Sequence, residues 1–329
     1  MSYAEVDVSA QQSGEVRQGV RHFEVTENEA GQRLDNFLHK LLGDLPRSRL
    51  YRVIRKGEVR VNGHRVGPDT RLQARDKIRI PPVRISATPE PGRPPVALLE
   101  TLRRAVVHEE ADLLVIDKPS GVAAHGGSGI SFGAIEALRW LRPDETLELV
   151  HRLDRDTSGC LLVARNRGAL RTLHALIRHG ELEKRYLALL QGKWELGRKR
   201  IDVPLRTDAR VRGERTVRVD PHGKASVSEF RPVQFFGKRA TLVEVTLLTG
   251  RTHQIRVHAR HAGNPVAGDE KYGDAEFNSA LRAFGLSRMF LHAHSVSFQW
   301  PGGSEFSVNT PLAPELASVI DALGTRPRR

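Results

Sequence analysis

The segment of this chain best equipped for chemistry is residues 151–159, whose sequence is His-Arg-Leu-Asp-Arg-Asp-Thr-Ser-Gly. Two largely apolar runs, residues 147–150 and 160–163, flank it and predict a buried strand on either side. A charged loop between two fixed strands is a good position for catalytic side chains. Within this loop Asp154 lies between two arginines, and nearby positive charge favours the ionised form of a carboxylate at neutral pH. An ionised aspartate here could act as a nucleophile or as a general base.

The alternative interpretation of this segment is a solvated loop whose charges form ion pairs. Gly159 and the density of hydrogen-bonding side chains around Asp154 argue against it. The segment resembles the active-site motif H-R-L-D-x-x-T-S-G of the RluA-type pseudouridine synthases, and every defined position of that motif is present. The resemblance implies isomerisation of uridine in RNA to pseudouridine, with Asp154 as the catalytic residue and without a cofactor or a metal ion.

The implied reaction breaks the N1–C1′ glycosidic bond, turns the uracil within the pocket and joins C5 to C1′. Asp154 would either attack the sugar or abstract a sugar proton, and the sequence leaves both courses open. Because the base must leave its stack, the enzyme is expected to flip the target nucleotide. The resemblance implies that Arg152 enters the space that the base vacates.

Other segments match the same family. Residues 184–186 carry Tyr186, which by resemblance packs against the target base, although its residue type alone favours a half-buried packing role. Residues 250–258 carry Arg256, which by resemblance pairs with the catalytic aspartate. An arginine stays protonated and could hold that carboxylate charged through a two-pronged hydrogen bond. Thr252 is the predicted N-cap of a helix, which places Arg256 one turn inside it.

Two glycine-bearing segments, residues 117–121 and 125–127, complete the family pattern as active-site loops. Glycines there would permit tight turns and a close approach of RNA. No histidine or cysteine set has the spacing of a metal site, and no nucleotide-binding motif is present. A protein kinase or a glycosidase fits less well, because the kinase loop motifs and the aromatic residues of a glycan groove are missing.

The region before residue 85 is the more basic part of the chain. Apolar spacing predicts a helix over residues 34–42 and a second from Ser48 to Gly57, followed by a strand, an Asn62-Gly63 turn and a strand over residues 64–66. Residues 33–35, 47–49 and 56–63 together resemble an S4 domain, a small RNA-binding module. The side chains expected to bind RNA are Arg47, Arg49, Arg52, Arg55, Lys56 and Arg60. The alternative is a solvated charged helix face.

The domain organisation follows from these patterns. We expect a flexible tail over residues 1–20, an S4-like domain over 21–84, a proline-rich linker over 85–97 and a catalytic domain over 98–329. In the last region, strands in adjacent pairs with irregularly interspersed helices predict an α+β fold on a mainly antiparallel mixed sheet.

The composition is consistent with an RNA enzyme. The formal net charge is +13, with 52 basic and 39 acidic residues, which is typical of proteins that bind nucleic acid. No apolar stretch is long enough to span a membrane and no secretory signal is recognisable, so we expect a cytoplasmic protein. The single cysteine, Cys160, lies in a predicted strand and is expected to be a core residue.

Within the family, the chain looks most like the bacterial RluC-type branch, which acts on large-subunit (23S) ribosomal RNA. The residues that carry this resemblance are 59–62, 80–84 and 125–129. The expected partner is therefore 23S ribosomal RNA or a large-subunit assembly intermediate, bound by a monomer. The competing hypothesis is an RNA-binding ribosome-assembly factor whose synthase domain is idle.

Overall fold

A computed structural model gives the fold of the chain. It describes residues 15–17, 19–27, 29–42, 45, 47–82, 84–86, 92–127, 130–208 and 216–325. The chain divides into two compact units, residues 1–93 and 94–329. Among the described residues, no helix is long and apolar enough to cross a membrane.

The first unit is small and packs two helices against a short antiparallel sheet. Its helices are α1 (Leu34–Leu41) and α2 (Arg47–Arg55). Its strands are β1 (Glu15–Arg17), β2 (Arg21–Glu24), β3 (Arg60–Val61), β4 (Lys77–Ile80) and β5 (Arg84–Ser86). The sheet order is β2-β4-β3, and β1 pairs with β5. Leucine and isoleucine side chains of both helices and of β4 form the core, so each helix buries the apolar face predicted from its spacing.

The predicted hairpin at Asn62 and Gly63 is only half right. Both residues have positive φ angles, 50° and 82°, and form the expected tight turn. The second strand is wrong, because residues 64–66 contact Val61 through one isolated bridge at His64. β3 instead pairs with β4. Alternate side chains of β4 are buried and form an apolar face, whereas His64 and Arg65 after the turn are exposed and form none.

Two short segments expected to be irregular are ordered. β1 lies within the expected tail and pairs in antiparallel register with β5, which lies at the start of the expected linker. The backbone groups of these extended segments satisfy each other. Helix α3 (Val96–Arg104) begins inside the expected linker, because Pro95 stands at its N-cap and interrupts no helical hydrogen bond. Residues 1–14 and 18 of the expected tail and residues 87–91 of the expected linker lie outside the described residues.

The second unit is built on one large mixed sheet, as the sequence predicted. Its strands are β6 (Val106–Glu109), β7 (Leu113–Lys118), β8 (Glu148–Leu149), β9 (Ser158–Ala164), β10 (Glu183–Gln191), β11 (Lys199–Asp202), β12 (Leu205–Thr207), β13 (Val217–Val219), β14 (Val227–Phe236), β15 (Ala240–Leu247), β16 (Leu291–Gln299) and β17 (Glu305–Asn309). Over the described ranges, ten strands form the sheet in the order β11-β14-β15-β10-β16-β9-β7-β6, with β17 beside β16 and β8 beside β9. β9 and β16 run parallel, and the other neighbours run antiparallel. β12 and β13 pair separately.

Helices cover both faces of this sheet. After α3 they are α4 (Ala134–Leu141), α5 (Arg167–His179), α6 (Gln254–His261), α7 (Ala275–Arg282) and α8 (Pro314–Thr325). β9 is buried along its whole length: Cys160 and Leu162 face the cluster that includes α5, whereas Leu161 and Val163 face the cluster that includes α3 and α4. Burial on both faces explains why this strand is continuously apolar in sequence.

Gly159 allows the segment that carries Asp154 to enter the sheet. Its φ angle is 109°, and a Cβ atom there would lie 2.2 Å from the carbonyl oxygen of Ala293 on the parallel strand β16. Only glycine fits both the backbone conformation and the close approach. The loop before β9 is therefore anchored at the junction of two core strands.

Candidate active site

The loop that carries Asp154 is held by hydrogen bonds at several points. It connects β8 with β9, and the Asp154 carbonyl accepts the Thr157 N–H at 3.2 Å. His151 Nε2 accepts the Leu162 N–H at 3.2 Å. Burial lowers the pKa of His151 to about 3, so its ring is neutral and free to accept at pH 7. The loop is thus fixed before any substrate binds.

Lys118 is a second anchor, and it explains why the segment of residues 117–121 belongs to the site. Its ammonium is fully buried and donates to the carbonyl oxygens of Pro119, Val122 and Arg155 at 2.9, 2.7 and 3.1 Å. Burial lowers the pKa of Lys118 to about 7, although the nearby carboxylates of Asp156 and Asp154 act to raise it. This lysine joins two segments that are far apart in sequence.

Asp154 and Arg256 contact each other, as the resemblance implied, but the form of the contact differs. Arg256 Nη1 lies 3.3 Å from Asp154 Oδ2. The two-pronged interaction expected with Asp154 is made with Asp269 instead, from Nε at 2.6 Å and from Nη2 at 2.8 Å. Asp269 is buried and also accepts backbone N–H groups of residues 271 and 272, which hold it in line with the guanidinium fork.

The start of α6 also differs from the prediction. The helix begins at Gln254, after His253 in a left-handed conformation with a φ angle of 54°, and Thr252 is not its N-cap. The Gln254 side chain stabilises this start, since its Oε1 accepts from the Arg251 N–H at 3.0 Å and the Thr249 hydroxyl at 2.8 Å. Arg256 consequently lies in the first turn of the helix rather than one turn inside it.

Tyr186 lies on β10 and is buried, with 6% of its surface exposed. Burial raises the pKa of its phenol, which keeps the ring neutral at pH 7. Tyr186 lines one cavity of about 690 Å³ together with Arg152, Asp154 and Arg256. The structure therefore brings together the four residues that the sequence placed in the active site. Arg152 is exposed at this cavity.

The basic residues expected to bind RNA belong to the first unit. Arg52, Arg55 and Lys56 are exposed, and Arg49 and Arg60 are half-buried. Arg55 also lies over the ring of Tyr51, with its guanidinium carbon 5.9 Å from the ring centre. The side chain of Arg47 lies outside the described residues.

Several residues of the site were given no role from the sequence, although two of them lie in segments that match the family. They are Asp269, Tyr272, His253 and Lys184, and the carbonyl contacts of Lys118 were equally unforeseen. Lys184 is the first residue of the matched segment 184–186. Its buried side chain lines the same cavity, and burial lowers its pKa. Among the described residues, no three metal-binding side chains gather at one point.

Comparison with known proteins bears on what this geometry does. The family description "RNA pseudouridylate synthase" matches residues 112–261, and that of the S4 domain matches residues 32–78. The ribosomal large subunit pseudouridine synthase C of Pasteurella multocida is 48% identical over 314 residues, which cover 94% of this chain and 95% of that protein. The protein of the same name from Escherichia coli strain K12 is 47% identical over 304 residues, covering 91% and 95%. The chain belongs to the RNA pseudouridylate synthase family.

Solved structures agree at the level of the fold. The human RNA pseudouridylate synthase domain containing 4 matches with a TM-score of 0.57 and 24% identity, over 69% of this chain and 96% of that one. The human RNA pseudouridylate synthase domain containing 1 matches with a TM-score of 0.53 and 26% identity, over 68% of this chain and 96% of that one. This pseudouridine synthase thus has the predicted α+β fold and the predicted S4 domain, and the family resemblance is confirmed.

Proposed function

We propose that this pseudouridine synthase isomerises uridines in large-subunit (23S) ribosomal RNA, with Asp154 as the catalytic residue. The observation that carries the proposal is the Asp154–Arg256 contact at a cavity that Tyr186 also lines. The substrate assignment is supported by the names of the relatives, the ribosomal large subunit pseudouridine synthases C. The matches to these relatives cover nearly the whole length of both chains. An idle synthase domain is not favoured, because those relatives are named as synthases.

Each residue has a task that its environment supports. Arg256 remains protonated and holds one oxygen of Asp154, so the carboxylate is held in one orientation. The neutral ring of Tyr186 offers the target uracil a surface to pack against inside the cavity. Arg152 is exposed at the cavity and would occupy the space left by the flipped nucleotide.

The proposed reaction rearranges bonds within one nucleotide. The N1–C1′ bond breaks, the uracil turns, C5 bonds to C1′, and the proton originally on C5 leaves to solvent while N1 gains one. Asp154 participates at the sugar either as a nucleophile or as a base. No step in this sequence requires a cofactor to accept electrons, because uridine and pseudouridine are isomers.

RNA recognition is the proposed task of the basic face of α2. Arg49, Arg52, Arg55 and Lys56 would contact phosphates, together with Arg47 at the start of α2 and Arg60 on β3. A net charge of +13 would raise the local concentration of a polyanion. We propose that the protein acts as a cytoplasmic monomer on naked 23S RNA or on a large-subunit assembly intermediate.

The substrate can be tested by mapping pseudouridine after incubation of the protein with transcripts of 23S or 16S ribosomal RNA. Carbodiimide modification followed by primer extension locates each product. We expect stops in 23S RNA alone, and none with Asp154→Asn. Products confined to 16S RNA would contradict the substrate assignment. Products only in isolated large-subunit precursor particles would identify the particle as the substrate.

A further inference from the structure

His253 lies beside the catalytic carboxylate and has no role in the mechanism so far. Its Nε2 is 3.9 Å from Asp154 Oδ2, and its side chain is 16% exposed. Its Nδ1 lies 2.8 Å from the hydroxyl of Tyr272, and the two rings meet edge to face at 5.5 Å. The ring is therefore held on one side and faces Asp154 on the other.

The direction of the hydrogen bonds determines which nitrogen of His253 carries the proton. The Val217 N–H donates to the Tyr272 hydroxyl oxygen at 2.9 Å. A phenol has one proton to donate, and the acceptor within reach of this hydroxyl in the described contacts is His253 Nδ1. If Nδ1 accepts, a neutral imidazole carries its proton on Nε2, which is the nitrogen that faces Asp154.

The surroundings keep this ring neutral. Burial lowers the pKa of His253, opposed by the carboxylate of Asp154 and reinforced by the cations Arg256 and Lys271. Asp269 is the remaining charged neighbour and is already engaged by Arg256. At pH 7 His253 is thus a neutral hydrogen-bond donor with one orientation.

Within the described part of the chain, Asp154 Oδ2 is the carboxylate oxygen that side chains approach, Arg256 Nη1 at 3.3 Å and His253 Nε2 at 3.9 Å. We propose that His253 is a positioning residue whose Nε2–H donates to Asp154 Oδ2 in the RNA complex, so that Oδ1 is the oxygen presented to the target nucleotide. The proposal rests on the catalytic role of Asp154. The required closure is about 1 Å, and catalytic hydrogen bonds commonly tighten when substrate binds.

The backbone conformation of His253 provides a sharp mutational test. A φ angle of 54° favours asparagine over glutamine on stability grounds, because asparagine tolerates the left-handed region better. The proposal favours glutamine, whose longer side chain can place an N–H near the position of Nε2. We therefore compare His253→Gln, His253→Asn and His253→Ala in kcat, KM and thermal unfolding on a 23S RNA fragment.

We expect the Gln variant to retain the highest kcat of the three, although Asn is the more stable protein. The Asn and Ala variants should lose about 10- to 100-fold in kcat with KM nearly unchanged, because a misplaced catalytic group costs turnover rather than binding. His258→Gln is the control, since His258 lies in the helix that follows His253, bonds Ser228 and Val203, and does not line the cavity. Its kcat should stay within about twofold of wild type. An Asn variant equal to or faster than Gln would overturn the proposal.

A spectrum of the RNA-free protein tests the proton position without turnover. Two-bond ¹H–¹⁵N correlations of the histidine rings distinguish the tautomers, and the signals missing from His253→Gln identify those of His253. We expect an unprotonated Nδ1 and a protonated Nε2 at pH 7, and a slower kcat in Tyr272→Phe. A proton on Nδ1 would overturn the role of His253. Absence of turnover by the wild type, in contrast, would contradict the proposed function.

Discussion

At the scale of residues, the site depends on a division of tasks within Arg256. Its guanidinium donates from Nε and Nη2 to buried Asp269 and from Nη1 alone to Asp154. The two hydrogen bonds to Asp269 hold the arginine rigidly. The single contact with Asp154 constrains that carboxylate less than a two-pronged interaction would. The family motif predicted the partnership of Asp154 and Arg256. It could not predict Asp269, because that contact depends on a loop outside the motif.

Buried histidines make the stability of the second unit depend on pH. His258 and His292 are fully buried, and burial lowers the pKa of each to about 4, below the value near 6.5 of an unfolded chain. Between these values the unfolded chain binds more protons than the native one. The stabilisation is therefore complete above pH 6.5 and is lost as pH falls toward 4.

We expect the free energy of unfolding in urea to fall by up to about 1.4 kcal/mol per pH unit for each of these histidines between pH 6.5 and 4. Glutamine does not titrate, so His258→Gln or His292→Gln should remove the contribution of one histidine. The slope of the unfolding free energy against pH should then decrease by up to about 1.4 kcal/mol per pH unit. Exposed His179→Gln serves as the control and should leave it unchanged. An unchanged slope in both buried-site variants would show that these rings titrate normally in the folded protein.

At the scale of elements, the junction of β9 with β16 fixes the position of the catalytic loop. The loop ends at Gly159, where a side chain would meet the Ala293 carbonyl oxygen. The sequence predicted the strand, because its apolar run is continuous. It could not predict its partner, since β9 and β16 are separated by more than a hundred residues and their pairing depends on the whole sheet.

Gly159→Ala should destabilise the protein by several kcal/mol, from both the positive φ angle and the overlap with β16. Gly180→Ala is the matched control, because Gly180 also has a positive φ angle of 75° but open space around the added methyl group. It should cost about 1 kcal/mol. Urea unfolding followed by tryptophan fluorescence measures both. Equal losses in the two variants would contradict the close-approach argument.

The basic face of α2 is the element that we expect to govern RNA affinity. Changing Arg49, Arg52 and Arg55 together to alanine should weaken binding to 23S RNA and reduce the slope of log affinity against log salt. Filter binding at several salt concentrations measures this, and kcat at saturating RNA should be retained. A control that removes three exposed cations from the second unit, Arg103, Arg104 and Lys199, should keep the slope closer to wild type. Equal slopes for the α2 variant and the wild-type protein would refute the role of that face.

At the scale of the whole molecule, local patterns predicted the elements better than their partners. Helix α5, which spans Arg167–His179, illustrates such local patterns, because its buried apolar spacing and its Asn166 cap lie within one short stretch of sequence. Helix α7 buries only Phe277 and Leu281 on its apolar side, a pattern too short to identify a helix from sequence alone. The order of the ten-stranded sheet, described here over the ranges given above, follows from long-range burial that one sequence does not reveal.

The same contrast applies to the site. Asp154, Tyr186, Arg256 and Arg152 were found from motifs and converge on one cavity. The groups that hold them, Lys118, Asp269 and the Tyr272–His253 pair, act through contacts between distant segments. Such contacts appear only once the chain is folded.

The most direct test of the proposed function is tritium release from 23S RNA labelled at uracil C5, because C5 exchanges its hydrogen for the sugar carbon during isomerisation. Wild-type protein is compared with Asp154→Asn, without added metal or nucleotide, and RNA binding is measured for both. We expect release by the wild type, and retained binding with release lower by at least about 10³-fold in the variant. Release at the same rate by both proteins would contradict the catalytic role of Asp154.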